Sequence, residues 1–128
     1  GFIWNERVHN GGFQAGVLAK FKEGVAVEEI LKGMEKLASD IDVVKSFEWG
    51  QDVESQETLR QGLTHAFCLT FGSKEDFSAF ASHPSHLDFS ATFSAAIDKV
   101  ALLDFPPVLA KPKPPPTPPP PPPPTPAP

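Results

Sequence analysis

The stretch Ser82-His83-Pro84-Ser85-His86 gathers the residues of this chain best suited to chemistry, and two of its four histidines lie there. An imidazole titrates near neutrality, so a site built here would move protons. Proline fixes φ and lacks an N–H, which places Pro84 at the start of a helix and not inside one. The residue before a proline is pushed out of helical φ/ψ, so His83 stands at a boundary. His86 then falls in the first turn of a new helix. If the chain has a chemical site, the spacing predicts it at this junction. A blander role is open to both rings: His86 capping or packing the junction, and His83 holding the boundary.

The elements around the junction follow from periodicity. Ala15 to Lys22 reads as a strand with Ala15, Val17, Ala19 and Phe21 on one face. Val27, Ile30, Leu31, Met34, Leu37, Ala38 and Ile41 keep helical spacing and predict a helix over 25–40. Val43 to Trp49 alternates and ends at Gly50, a second strand. Asp52 to Gly62 is polar and reads as a loop. Thr64 to Phe71 is a strand rich in aromatic and branched residues, with His65, Phe67, Leu69 and Phe71 on one face. Ser73 can cap a helix with Asp76 three residues later, and that helix carries Phe77, Phe80 and Ala81 inward. The helix opened by Pro84 is predicted to run to about Lys99. Val100 to Phe105 is the last strand, stopped by Pro106-Pro107.

The order β-α-β-β-α-β predicts an α+β domain of ferredoxin-like type, with a four-stranded antiparallel sheet and helices on one face. The face of His65, Phe67, Leu69 and Phe71 is hard to leave in water, which predicts a sheet-to-sheet homodimer. The expected division is a flexible leader over 1–12, a domain over 13–106 and a disordered proline-rich tail over 107–128. Fifteen of the last 23 residues are proline. Such a segment favours extended polyproline II and forms neither ladder nor helix. It fits the ligands of proline-recognition modules, or it is a solvated extension.

Charge and composition exclude several classes. The net charge is −5, and Lys111 and Lys113 are the only charges from Pro106 onward, which leaves −5 − (+2) = −7 for the rest. An acidic domain of this size offers no basic surface for nucleic acid. No apolar run approaches the roughly 18–20 residues of a membrane helix. One cysteine, Cys68, allows no internal disulfide and fits a reducing, cytoplasmic compartment. Cys68 and Met34 read as core residues, Trp49 as packing.

Five short segments, Lys20-Phe21-Lys22-Glu23-Gly24, Phe47-Glu48-Trp49-Gly50-Gln51-Asp52, Gln61-Gly62-Leu63-Thr64-His65, Ser82-His83-Pro84-Ser85-His86 and Leu103-Asp104-Phe105, occur in this order. Together they resemble the plant stress-responsive dimeric α/β-barrel (A/B barrel) domain, over about Phe13 to Pro106. The resemblance implies a ferredoxin-like protomer in a barrel-like homodimer. The family holds stress-induced proteins of unsettled biochemistry and olivetolic acid cyclase, which closes a polyketide ring by an aldol step. By that resemblance His86 matches the catalytic base, able to take a proton α to a carbonyl. The cyclase's tyrosine matches Phe80, which cannot donate a hydrogen bond. A histidine usual on the first strand is replaced by Ala15. The implied apolar pocket is lined by Ala15, Val17, Ala19, His65, Phe67, Phe80, Phe89, Val100 and Leu102. Some relatives hold Mg2+ through main-chain carbonyls near the end of the first helix, here Ala38, Ile41 and Val44. No cofactor is otherwise required.

Three functions follow, in this order: a non-enzymatic stress-response homodimer binding a small hydrophobic ligand, a polyketide cyclase-like enzyme with His86 as base, and an adaptor whose tail recruits proline-reading modules.

Overall fold

The computed structural model of the chain describes residues 12–111 and 118–126. The expected leader, apart from Gly12, lies outside the described residues, as do parts of the tail. Residues 118–126 are exposed and carry neither helix nor strand.

Strand β1 (Phe13–Phe21) begins two residues before the strand expected from Ala15 and ends one residue earlier. Helix α1 (Val27–Asp40) follows, and its apolar stripe buries Ile30 and Leu31. Strand β2 (Val44–Gln51) leads into a stretch read as loop from its polar composition. That stretch contains a one-turn helix, α2 (Glu57–Arg60). It closes because Arg60 reaches back to Asp52, with Nη1 to Oδ2 at 3.2 Å. Gln61 and Gly62 then turn through positive φ, at 56° and 80°. Strand β3 (His65–Phe71) and helix α3 (Lys74–Ala81) come next. The Ser73 hydroxyl accepts the Asp76 N–H at 3.1 Å, the cap its spacing predicts.

Helix α4 (Pro84–Ala96) has Pro84 in its first turn and His83 as N-cap. It ends before the expected Lys99, because β4 (Ile97–Phe105) takes Ile97 to Lys99 as strand. The ladder pairs Ile97 with Phe21 and Lys99 with Lys20, and the Lys22 N–H donates to the Ala96 carbonyl at 2.8 Å. β-branched Ile97 suits that pleated surface better than a fraying helix end.

The sheet order is β2-β3-β1-β4, every neighbour antiparallel, which is the ferredoxin-like arrangement. Ala15 pairs with both Leu69 and Asp104. The face carrying Phe13, Ala15, Phe67, Leu69 and Phe71 packs on the helices, against Ile30, Leu31, Ile41 and Phe80. Phe71 is 1% exposed, its ring 5.5 Å from Phe77 and 5.2 Å from Phe80. This corrects the expectation that the aromatic face of β3 awaits a partner chain. Alternation shows which residues share a face, but not which face the helices take.

By the strand register, the open face carries Gly16, Leu18, Ala66, Cys68, Ala101, Leu103 and Phe105. Leu18 is 39% exposed and Leu103 68%. Cys68, expected in the core, is half-buried on this open face. Its thiol donates to Gln14 Oε1 at 3.1 Å. Burial, then the charge of Glu48, push that thiol up from its ordinary value. Trp49 is 40% exposed and its indole N–H donates to Glu35 at 3.2 Å. Among the described residues no helix is long and apolar enough to cross a membrane.

Candidate functional site

A cavity of about 320 Å³ lies between the helix-side face of the sheet and the helices. Its floor is Ala15 and Val17 of β1, Leu69 of β3 and Phe47 of β2. Met34 and Leu37 of α1, Phe77, Phe80 and Ala81 of α3, and Phe89 and Phe93 of α4 enclose it. Val100, Leu102 and Asp104 of β4 form the rim. Beta-strand β4 is an edge strand, and Leu102 there is 61% exposed, so the cavity opens on that side. Helix α4 comes close to α1 at Gly33, where a Cβ would stand 2.7 Å from Phe89 Cε1. The lack of a side chain there lets the Phe89 ring lie against α1.

The polar groups on the wall are few: His86, Ser90, Ser94 and Asp104. His86 sits where the sequence predicts, in the first turn of α4. Its Nδ1 is 3.0 Å from the Ala81 carbonyl oxygen. A carbonyl only accepts, so in the neutral ring Nδ1 carries the proton and donates. Nε2 is then the basic nitrogen, 3.4 Å from Ser90 Oγ. The other histidine of the motif is turned differently. His83 Nδ1 accepts the Ser85 N–H at 3.1 Å and closes the start of α4. One ring builds the junction and the other faces the cavity.

Of the residues predicted for the pocket, Ala15, Val17, Phe80, Phe89, Val100 and Leu102 border the cavity, together with His86. Ala19, His65 and Phe67 do not. Ala19 and Phe67 are packed in the core with Phe21, Ile30 and Leu31. His65 lies farther along, edge-on to Phe21 at 5.1 Å and with Nδ1 2.8 Å from Thr64 Oγ1. Burial alone lowers its pKa from the ordinary value. The three share the helix-side face of their strands, and register alone does not exclude them: Phe67 pairs with Val17 and Ala19 with Val100, and both partners border the cavity. Ala19 and Phe67 are instead closed over by core packing, at 0% and 2% exposure. Ser90 and Asp104 were missed. Ser90 could have been found, since it follows His86 by one helical turn. Asp104 reaches the rim only through its pairing with Ala15.

The carbonyls of Ala38, Ile41 and Val44 do not fit a magnesium ion well. Mg2+ gives up water reluctantly and prefers charged oxygens in near-octahedral array. The Ile41 carbonyl already accepts the Val44 N–H at 3.1 Å. Of the two acids at this corner, Asp40 is held by Lys36 at 2.6 Å and Asp42 is exposed. No group of three His, Cys, Asp or Glu side chains gathers among the described residues.

Residues 16–107 match the stress-responsive A/B barrel domain family. The chain belongs to this family. It is 59% identical over 100 residues to the stress-response A/B barrel domain-containing protein At5g22580 of Arabidopsis thaliana, covering 78% of this chain and 90% of the relative. The crystal structure of At3g17210, also from Arabidopsis thaliana, superposes with a TM-score of 0.70 at 41% identity. That match covers 75% of this chain and 95% of the other. A dimeric ferredoxin-like protein of unknown function from Thermobifida fusca shares the fold at 20% identity, with a TM-score of 0.62. There 73% of this chain and 89% of the other are covered. This A/B barrel domain therefore has the cavity between sheet and helices, with one imidazole fixed at its wall.

Proposed function

We propose that this A/B barrel protein is a homodimer that binds a small hydrophobic ligand in the cavity above its sheet. The observation that carries the reading is the cavity itself: about 320 Å³, walled by aliphatic and phenyl groups, with few polar side chains. Sites for small apolar molecules have this character. Phe80 stands where a cyclase would carry a hydroxyl, which favours retention of a guest over its cyclisation. No metal ion is needed for it. The open sheet face supports the dimer, because Leu18, Leu103 and Phe105 are exposed together with small Gly16 and Ala101 between them. The dimeric neighbour of the same fold points the same way. The domain takes residues 13–106, and the tail over 107–128 is an extension of it, of which no described residue borders the cavity.

Thermal unfolding in the presence of linear polyketides and fatty acids tests the reading. A rise in midpoint with a subset of them is expected, since a ligand that binds only the folded state stabilises it. No rise with any of them would remove ligand binding.

A second reading has its own observation. The Ala81 carbonyl holds His86 Nδ1 at the cavity wall and leaves Nε2 as the nitrogen able to act as a general base. A polyketide cyclase-like activity would then depend on His86. Turnover of a linear poly-β-keto substrate that persists in His86→Ala would end this reading.

A further inference from the structure

The geometry points to Ser90 as a nucleophile that accepts acyl groups from apolar esters, with His86 as its base. This rests on the reading that the cavity takes apolar guests, and adds a covalent step to it.

Ser90 and His86 are one turn apart on α4, and both side chains border the cavity. Nδ1 of His86 is committed to the Ala81 carbonyl at 3.0 Å. The lone pair of Nε2 is therefore left for a donor, and the group 3.4 Å away is the Ser90 hydroxyl. Hydroxyl, imidazole and a fixed acceptor behind the imidazole form the chain that activates a serine. The contact is long for a hydrogen bond, and such contacts are commonly looser before substrate arrives. The acceptor here is a neutral carbonyl and not a carboxylate. It fixes the ring but stabilises an imidazolium less, so the chemistry is slow. Phe80, with its ring 4.6 Å from that of His86, keeps one side of the base dry.

The step balances without oxidant or metal. Ser90 Oγ attacks the ester carbonyl carbon as its proton passes to His86 Nε2. The bond from that carbon to the alkoxy oxygen breaks, and the imidazolium returns its proton to the departing alcohol. The product is an acyl ester on Ser90, which water later cleaves to the free acid. An aliphatic acyl chain suits the cavity wall.

The test is the full chain mixed with p-nitrophenyl octanoate, read by intact mass and peptide mapping. Expected is one octanoyl group on the peptide holding Ser90, with release of nitrophenolate. Ser90→Ala should lose that label, and Ser90→Cys, which keeps a nucleophile in place, should regain it. His86→Ala should slow labelling at residue 90 by about 10²-fold or more, the range of general base contributions. No acyl group at residue 90, or a rate there unchanged in His86→Ala, overturns the proposal. Thermal shifts with octanoic acid, measured alongside, separate the two readings. A shift without acylation defeats the nucleophile alone. Neither shift nor acylation defeats ligand binding as well.

Discussion

The ring of Phe80 lies 4.6 Å from that of His86, centre to centre, tilted by 51°. A phenyl ring at that position shields the base and offers it no partner. Phe80→Tyr places a hydroxyl beside the imidazole, and one well-aimed donor at a developing oxyanion is worth ~10²–10³ in rate. We expect the variant to raise cyclisation of a linear poly-β-keto substrate by about 10²-fold, and His86→Ala in that background to remove the gain. A Phe80→Tyr protein with no gain would place the hydroxyl away from the substrate carbonyl.

Leu103 and Leu18 lie on the sheet face opposite the helices. Burying a carboxylate between two such faces costs on the order of 3 kcal/mol, a ~100-fold loss in association. Light scattering of Leu103→Asp over a dilution series should give the mass of one chain where the parent gives two. Circular dichroism should be unchanged, because Leu103 is 68% exposed on the face away from the helices. Equal masses for parent and variant would move the dimer contact off this face.

Burial lowers the pKa of His65 from its ordinary value near 6.5. The unfolded chain then takes up a proton more readily than the folded one. This contribution to stability is complete above about 6.5 and is lost as pH falls through that value toward the lowered one. Urea midpoints of the parent and of His65→Gln should therefore converge, or cross in favour of the variant, on acidification. A parent that gains on the variant in acid would mean that the folded protein favours the charged ring.

Gly33 faces Phe89 so closely that a Cβ would stand 2.7 Å from the ring. Gly33→Ala gains ~1 kcal/mol in helix propensity. Against that, overpacking costs typically ~1–3 kcal/mol. A net loss in urea stability is expected, with weaker binding of any ligand that raises the melting point of the parent. A more stable Gly33→Ala protein would show that the Phe89 ring swings aside freely.

Much of the fold was legible because its signals are local. The Ser73 cap, the stop at His83-Pro84 and the stripe of α1 each depend on neighbours in sequence. What was not legible depended on contacts between distant segments. Ile97 fits a helical pattern and a strand equally, and the ladder to Phe21 decides for the strand. The turn at Glu57–Arg60 has only Leu59 as an apolar residue, too little to show a helical period, and closes on the Asp52–Arg60 pair. For the site, the His-Pro-x-His spacing located His86, while the packing of the helices decided which residues of the shared sheet face stay open to the cavity and which are closed over. Ala15 and Val17 lie beside the cavity and Ala19 is closed over, though all three share one face.

Leu102 and Leu103 are consecutive on β4 and point to opposite sides, one to the cavity rim and one to the open sheet face. A single ribbon of backbone, paired along one edge only, is thus the wall of two rooms. A guest at the rim and a second chain on the open face would both press on that one ribbon. Were the two events coupled through it, each would change the affinity of the other by the same factor. The affinity for an apolar molecule would then depend on how concentrated the protein is.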